Sequence, residues 1–320
     1  MKTSCARRTT KTRRYSLFFD SVSTGREVCK TKTSRRFPRK GCQVKTQPRL
    51  APARSQTSPE RYNKSMLLTI DLGNTNLTIG LYEGETLGPH WRLATDHERM
   101  PDEYGLQILG LLDHVGQTPA DLSGVCLASV VPPLTGRLVQ ACREYLEQEP
   151  LVVDTGVKTG IRIRYEDPRA VGADRVADAV AVHHLYGGPA CVVDFGTATT
   201  FNAITKAGEY LGGAITAGIN LAAEALFQRT AKLARVDIQR PPAVIGRNTV
   251  HAMQSGLLFG YVSMVEGMVA RFRVELGDDM KVIATGGLAE IVAKETPVIE
   301  IIAPWLTLDG LRIIWGLNRS

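Results

Sequence analysis

The sequence predicts an α/β fold made of two similar halves, and three observations lead to that prediction. The chain has 320 residues and is 43% hydrophobic, which is enough to bury a sizeable core. A pattern of an apolar strand, an Asp, a glycine-containing turn and a second strand occurs twice, 123 residues apart. Apolar stripes at helical spacing fill the intervals, and strands that alternate with helices are typical of α/β proteins.

The two hairpins have the same plan. In the first, residues 67–71 and 77–82 are the predicted strands, residues 72–76 the turn between them, and residues 83–85 the next turn. In the second, residues 191–194 and 201–204 are the strands, residues 195–200 the turn, and residues 206–209 the next turn. Such a repeat predicts a duplicated domain, with one half at residues 66–187 and the other at 188–320.

Helices are predicted in the intervals between the strands. Apolar residues at helical spacing and glycine-rich ends place them around 106–115 and 138–146, and over 173–186, 220–233, 248–275 and 288–294. Residues 281–284 read as a short strand, and 285–287 as a glycine loop. Gly256 and Gly260 on the long helix predict close packing against another helix.

The basic charge of the chain belongs to its first 65 residues. They hold 18 of the 39 Lys and Arg residues but only 3 of the 32 Asp and Glu residues, so residues 66–320 are acidic overall. The basic segment has three interpretations: a disordered tail that binds an anionic surface, a targeting peptide, or a translated stretch upstream of a true start at Met66. The acidic charge of the remainder argues against nucleic-acid binding by the globular part.

Cysteine usage and hydropathy predict a protein of the cytoplasm. Cys126, Cys142 and Cys191 lie far apart, without metal-ligand spacing, and read as buried thiols in a reducing compartment. No run of 18 apolar residues lacks polar interruptions, so no membrane span is expected.

Both repeated turns have the composition of a phosphate-binding loop. Glycine lets the backbone approach a ligand, successive N–H groups point into one concavity, and threonine hydroxyls add donors. The Asp at the end of each first strand can hold a cation. The GxxxxGK[ST] and GxGxxG motifs are absent, and neither turn leads into a helix as those motifs require. Two such turns that face each other would bind a triphosphate from both sides.

Four motifs in this order resemble the type III pantothenate kinases of the acetate/sugar kinase, Hsp70 and actin superfamily. They are Asp71-Leu-Gly-Asn-Thr-Asn76, Gly172-Ala-Asp-Arg175, Asp194-Phe-Gly-Thr-Ala-Thr-Thr200, and Asn248-Thr249 followed by Gly256. The resemblance covers residues 66 to about 315. It implies two ribonuclease-H-like or actin-like halves with an ATP cleft between them, and the transfer of phosphate from ATP to pantothenate, the first step of coenzyme A synthesis.

The resemblance also implies roles for particular residues. Asp174 would be the catalytic proton acceptor, and Asp194 would hold a monovalent cation, K⁺ or NH₄⁺, used beside Mg²⁺. The residues implied to bind ATP are Asp71, Leu72, Gly73, Asn74, Thr75, Asn76, Leu77, Thr78 and Thr197. Those implied to surround pantothenate are Tyr165, Gly172, Ala173, Asp174, Arg175 and Thr249. The family implies a homodimer in which Thr249 reaches the neighbouring subunit's pocket, and the loop 285–287 would lie under the adenosine.

The chemistry of these residue types fits phosphoryl transfer, which needs positioning and charge neutralisation more than a strong base. Asp174 begins a helix whose dipole favours an ionised carboxylate, so it is expected to stay anionic at neutral pH and to accept a hydroxyl proton. Arg175 cannot lose its proton and suits the pantothenate carboxylate. Three alternatives remain: another small-molecule kinase of the superfamily, a non-catalytic nucleotide-binding regulator, and an enzyme tethered to nucleic acid by its basic segment.

Overall fold

The computed structural model describes residues 65–230 and 233–319. The predictions for the basic N-terminal segment concern residues 1–65, of which residues 1–64 lie outside those ranges. Eleven strands in the described residues form two mixed sheets, and seven α-helices pack around and between them.

The first sheet holds five strands in the order β3-β2-β1-β4-β5. Their bounds are Met66–Leu72 (β1), Asn76–Glu83 (β2), Thr86–Ala94 (β3), Leu122–Ser129 (β4) and Leu151–Val152 (β5). β1, β2 and β3 form an antiparallel meander, and β1, β4 and β5 are parallel. β1 and β2 are almost wholly buried, because apolar side chains cover both of their faces.

The second sheet repeats this plan with one strand added, in the order β11-β10-β7-β8-β9-β6. Its strands are Arg162–Ile163 (β6), Ala190–Phe195 (β7), Ala198–Ile204 (β8), Glu209–Ala217 (β9), Lys281–Thr285 (β10) and Ile301–Ile302 (β11). β7, β8 and β9 are antiparallel, β7, β10 and β11 are parallel, and β6 pairs in parallel with the outer edge of β9. The duplicated α/β fold is therefore confirmed, since β7 to β11 reproduce the order and directions of β1 to β5.

The helices also occupy matching places in the two halves. Their bounds are Pro101–His114 (α1), Pro132–Leu146 (α2), Ala173–Leu185 (α3), Ile219–Arg229 (α4), Thr249–Leu276 (α5), Ala289–Ala293 (α6) and Leu306–Asn318 (α7). α2 follows β4 as α6 follows β10, and α3 follows β5 as α7 follows β11. The interval that α1 fills in the first half is filled by α4 and α5 in the second.

Helices α3 and α7 lie in one core shared by both sheets. That core joins Leu67 and Cys126 of the first sheet to Val192 and Ile283 of the second. The two helices approach closely at Gly310, where a side chain would meet the backbone of Ala177. α7 belongs to the second predicted half but contacts β1 and β4 of the first. β6 belongs to the first predicted half but pairs with β9 in the second sheet. Each half, as divided between residues 187 and 188, therefore contributes an element to the other.

The predicted helices and strands are present, but some of them begin or end at other residues. The structure also contains elements that were not predicted from the sequence. The helix predicted over 220–233 ends at Arg229, and Thr230 is extended, its hydroxyl donating to the carbonyl of Leu226 at 2.8 Å. The third meander strands β3 and β9 were not predicted: β3 contains Gly88 and Pro89, which a central strand disfavours but an edge strand accepts.

The prediction that these three cysteines are buried thiols is confirmed. Cys126, Cys142 and Cys191 are free and buried, and burial raises the pKa of each thiol to about 12, so they are inert side chains of the core. Within the described residues, no helix combines the length and apolarity needed to cross a membrane.

Candidate active site

A cleft of about 460 Å³ opens between the two sheets at the carboxyl ends of β1 and β7. Parallel β1/β4 and β7/β10 end there, and the turns that follow β1 and β7 line it. Nine of the residues implied to act on ATP, cation or proton line the cleft: Asp71, Gly73, Asn74, Thr75, Asn76, Thr78, Asp174, Asp194 and Thr197.

The two repeated turns touch each other across the cleft. The hydroxyl oxygens of Thr75 and Thr197 are 2.7 Å apart and share a hydrogen bond between residues 122 positions apart in sequence. The hydrogen bond is exposed, and so are the neighbouring side chains of Asn74 and Asn76. The structure thus brings the two candidate phosphate turns face to face, as the repeat in the sequence predicts.

The first turn is held in shape by backbone and hydroxyl hydrogen bonds. The N–H of Gly73 donates to the carbonyl of Asn76 at 2.9 Å, and Thr95 donates its N–H to the carbonyl of Thr75 and its hydroxyl to that of Gly73. Leu72 and Leu77, also implied to bind ATP, are buried in the core of the first sheet and do not line the cleft. Only their backbone can take part, and their side chains anchor the turn.

Two glycines let the backbone pack closely around the second turn. A side chain at Gly218, which precedes α4, would meet the carbonyls of Gly196 and Thr197. Gly286 has φ +88°, and a side chain there would lie 2.5 Å from the Asp194 carboxylate and 2.7 Å from the backbone of Phe195. The glycine loop after β10 therefore lies directly beside Asp194.

Three aspartates with raised pKa values face one another in the cleft. Burial raises the pKa of Asp71 to about 8, with further contributions from Asp174 and Asp194, while Arg92 opposes the shift. Burial and the Asp174 carboxylate raise the pKa of Asp194 to about 7, again opposed by Arg92. Clustered carboxylates with raised pKa values mark a place where a bound cation is favourable.

Asp174 lies in the first turn of α3, as predicted. Its carboxylate accepts the N–H of Arg175 at 2.7 Å, and a side chain at Gly172 would meet that carboxylate. Burial raises the pKa of Asp174, and the Arg175 N–H and guanidinium lower it. The net direction is upward, so burial outweighs the hydrogen bond and the positive charge of Arg175.

Asp178 lies one helical turn further along α3 and was not among the predicted site residues. It is 2% exposed and accepts a hydrogen bond from the Thr307 hydroxyl at 2.8 Å. Burial raises its pKa well above the ordinary value, and Asp194, Asp174 and Asp71 add to the shift. Its spacing of four residues from Asp174 was the available signal, because such residues share a helix face.

Tyr165 and Arg175 form a second cluster against β8 and β9, beside the cleft. The Arg175 Nε donates to the Asn202 side chain at 2.7 Å, and its guanidinium lies 5.7 Å over the Tyr210 ring. The Tyr165 ring packs 6.5 Å from the same Tyr210 ring and against Gly212. Asn202 also donates to the Thr200 hydroxyl at 3.0 Å, and Thr200 lines the cleft, so the cluster is joined to it.

Thr249 is a predicted site residue that lies apart from the others in the described part of the chain. It is exposed at the start of α5, after the helix cap Asn248, whose side chain accepts the N–H of His251. It does not line the cleft, and neither do Gly172 and Ala173, which lie at the start of α3.

Arg92 and Trp305 line the cleft and were missed by the sequence reading. Arg92 lies on the unpredicted strand β3, and Trp305 immediately precedes the unpredicted helix α7. The alternation of apolar and polar residues along β3 was the sequence signal that could have identified the strand of Arg92. No short motif surrounds Trp305, so only the tertiary structure identifies it.

The residues present fit a nucleotide with cations. Two glycine turns with exposed hydroxyl and amide groups offer donors to phosphate, and the three facing carboxylates need positive charge. Among the described residues, no three His, Cys, Asp or Glu side chains are grouped so as to hold a metal by themselves. Any cation here therefore takes further ligands from backbone oxygens, water or phosphate, as Mg²⁺ commonly does.

Comparisons with known proteins show the family to which this chain belongs. The family model for type III pantothenate kinase matches residues 67–271. The type III pantothenate kinase of Roseiflexus sp. (strain RS-1) is 51% identical over 255 residues, covering 80% of this chain and 100% of the relative. That of Moorella thermoacetica is 52% identical over 253 residues, covering 79% of the chain and 100% of the relative.

A solved structure supports the fold. A conserved putative Baf family transcriptional activator from Campylobacter jejuni aligns with a TM-score of 0.51 at 19% identity, covering 78% of this chain and 98% of that one. At this identity, the likeness concerns the fold alone.

Proposed function

The chain belongs to the type III pantothenate kinases, which phosphorylate pantothenate in the first step of coenzyme A biosynthesis, and we propose that the cleft between its two sheets is where it does so. The observation that carries this assignment is the meeting of Thr75 and Thr197, because it brings both candidate phosphate turns to one cleft beside Asp174. The reaction takes the terminal phosphoryl group of ATP to the pantothenate hydroxyl.

We propose that the two turns hold the phosphates of ATP, with Mg²⁺. Residues 71–78 supply backbone N–H groups and the Thr75 and Thr78 hydroxyls from one side, and Thr197 supplies its hydroxyl from the other. Gly286 and Gly287 line the same cleft and provide a flat surface for the adenosine.

Asp174 is the proposed proton acceptor. It is the carboxylate at the start of α3, lines the cleft, and adjoins the cluster that contains Arg175. Its oxygen that does not accept the Arg175 N–H is available for the substrate hydroxyl. A base contributes late in phosphoryl transfer, when the hydroxyl has become acidic, so a strong base is not required for this role.

Asp194 is the proposed ligand of a monovalent cation, K⁺ or NH₄⁺. It lies next to the Gly286 loop, and the negative charge of Asp174 repels its carboxylate. A singly charged ion beside it would relieve that repulsion and neutralise part of the phosphate charge.

Pantothenate is proposed to extend from Asp174 toward Tyr165. Arg175 can clamp the substrate carboxylate with its terminal nitrogens, since only its Nε is used on Asn202 among the described residues. The exposed Tyr165 ring lies beyond it over Gly212 and can cover the aliphatic part of the substrate.

A homodimer would complete this site with Thr249. A methyl group added at Gly256 or Gly260 on α5 would meet nothing within 4 Å in the described residues beyond the neighbouring backbone of α5 itself, so the close packing predicted for these glycines is not against another described helix. Exposed apolar side chains precede this helix in sequence, among them Ile215 at 63% and Ile245 at 82% exposure. The proposed assembly acts in the cytoplasm, where ATP and K⁺ are available.

The test is ADP release by the full chain with ATP, Mg²⁺ and K⁺, with and without pantothenate. Turnover should depend on pantothenate, and Asp174→Asn should lower kcat by about 10²- to 10⁴-fold, the usual contribution of a positioned base. Asp113→Asn, an exposed carboxylate of α1 outside the cleft, is the matched control and should keep full activity. Turnover that ignores pantothenate, or survives in Asp174→Asn, would contradict the assignment.

A further inference from the structure

Arg92 occupies a defined place in a row of residues that crosses the first sheet. Asp71 on β1 is directly opposite Thr78 on β2, and Thr78 is directly opposite Arg92 on β3. Residues directly opposite in antiparallel strands project from the same face of the sheet. All three line the cleft, so Arg92 extends the candidate phosphate site outward from Asp71 by two strands.

The guanidinium of Arg92 is oriented across the cleft toward the second half of the molecule. It lies 5.3 Å over the ring of Trp305, a cation–π contact that favours one position of a long side chain. One terminal nitrogen is 3.3 Å from the place where a side chain at Gly287 would begin. The Trp305 ring is itself packed against His90, two residues before Arg92 on the same strand, at a centroid distance of 4.3 Å.

The charge of Arg92 stands out against that of its surroundings. Among the described residues that line the cleft, it is the one with a positive charge, and Asp71, Asp174, Asp194 and Glu224 carry carboxylates. Its guanidinium makes no hydrogen bond to another described residue, so its donors are directed at the cleft rather than used to hold the fold together. A planar fork of donors suits phosphate oxygens.

We infer that Arg92 binds the terminal phosphates of the nucleotide and stabilises the negative charge of the phosphoryl group during transfer, with Trp305 as the residue that positions it. This inference rests on the proposed nucleotide site. Arg92 lies between the first phosphate turn and the Gly286–Gly287 loop, whereas the cluster proposed for pantothenate lies against β8 and β9. The phosphate chain is therefore the closer anionic group, and the pantothenate carboxylate is the competing ligand.

The experiment compares Arg92→Gln and Arg92→Lys with the wild-type full chain. Calorimetric titration with Mg²⁺-ATP and Mg²⁺-ADP in the absence of pantothenate measures binding, and steady-state kinetics give kcat and the KM of both substrates. Arg143→Gln, an exposed arginine of α2 outside the cleft, is the matched control. Thermal melts show that each variant is folded, which is expected because Arg92 is exposed on an edge strand.

Arg92→Gln should lower kcat by about 10²- to 10³-fold and weaken ATP binding by about 10-fold or more, with a smaller effect on ADP. Arg92→Lys should recover part of the loss, because it keeps the charge without the fork. Trp305→Phe should retain more activity than Trp305→Leu, since phenylalanine keeps an aromatic face for the guanidinium.

Wild-type kcat and ATP affinity in Arg92→Gln would overturn the inference. So would an effect confined to the KM of pantothenate, which would identify the substrate carboxylate as the ligand. If the wild-type chain showed no pantothenate-dependent ADP release, the proposed function would fail. The difference between ATP and ADP binding would still decide the role of Arg92.

Discussion

The row Asp71, Thr78 and Arg92 of the first sheet has a counterpart in the second, where Asp194, Thr200 and Ile215 are directly opposite one another on β7, β8 and β9. The first two positions are identical in type, and all four of these Asp and Thr residues line the cleft. The third positions differ completely: Arg92 points into the cleft over Trp305, and Ile215 is largely exposed and does not line it.

The difference shows that the two copies have diverged at the third strand of the meander. The first two strands of each meander are buried and shape the cleft, so both copies keep an Asp and a Thr there. The third strand is the sheet's edge in the first half and is covered only by two residues of β6 in the second. An outer strand has fewer packing constraints, and it can therefore supply a cation to the cleft in one half and an apolar surface in the other.

The largest expected effect comes from exchanging the two aspartates of these rows for asparagine. Asp194→Asn should abolish stimulation by K⁺ and leave low activity, because the proposed ligand of the cation is lost. Asp71→Asn should lower kcat by about 10²-fold yet keep its response to K⁺, because it removes charge beside the phosphates instead. Titration of activity with K⁺ at constant ionic strength measures both. An equal K⁺ response in the two variants would mean that the two aspartates do not have separate roles.

The pH dependence of the cation requirement sharpens the same contrast. Because the pKa of Asp194 is raised to about 7, a proton competes with K⁺ below that pH. The K⁺ concentration for half-maximal activity should rise by up to about 10-fold per unit as the pH falls below 7. The opposite trend, or none, would argue against Asp194 as the ligand.

The same shifts predict how stability depends on pH without a cation. The folded chain holds protons on Asp71 and Asp194 more tightly than the unfolded chain does, since both pKa values are raised. The melting temperature should therefore fall as the pH rises from about 4, where unfolded aspartates lose their protons, through the folded pKa values. Asp71→Asn should flatten this decrease, and a melting temperature that rose over the same range would contradict the shifts.

The smallest expected effect concerns the third position of the second row. Ile215→Arg places the residue type of the first row at an exposed apolar position, which we propose belongs to the subunit surface. It should weaken the dimer by about 10-fold or more, because an exposed apolar contact is replaced by a charge. Light scattering across a dilution series measures this, and the KM of pantothenate should rise as Thr249 is withdrawn. Leu106→Arg, on the exposed side of α1 in the first half, is the control. A monomeric wild-type chain with full activity would contradict the dimer.

The sequence alone determined the duplicated α/β fold, the two turns and the aspartates that end the strands. These features follow from local pattern, because strand periodicity, glycine at tight turns and apolar helix stripes are each encoded within about ten residues. Asp174 at the start of α3 belongs to this group, and the four motifs that resemble the kinase family supplied the reaction.

The tertiary structure decided what depends on residues distant in the chain. Only the folded chain brings Thr75 to Thr197, buries Asp178 beside the other aspartates, and sets Arg92 over Trp305, which is 213 residues away. It also shows that burial raises the pKa of Asp174, because the helix dipole is visible in sequence whereas desolvation by a shared core is not. Burial and charge at this site come from both sheets at once, and neither half carries that information alone.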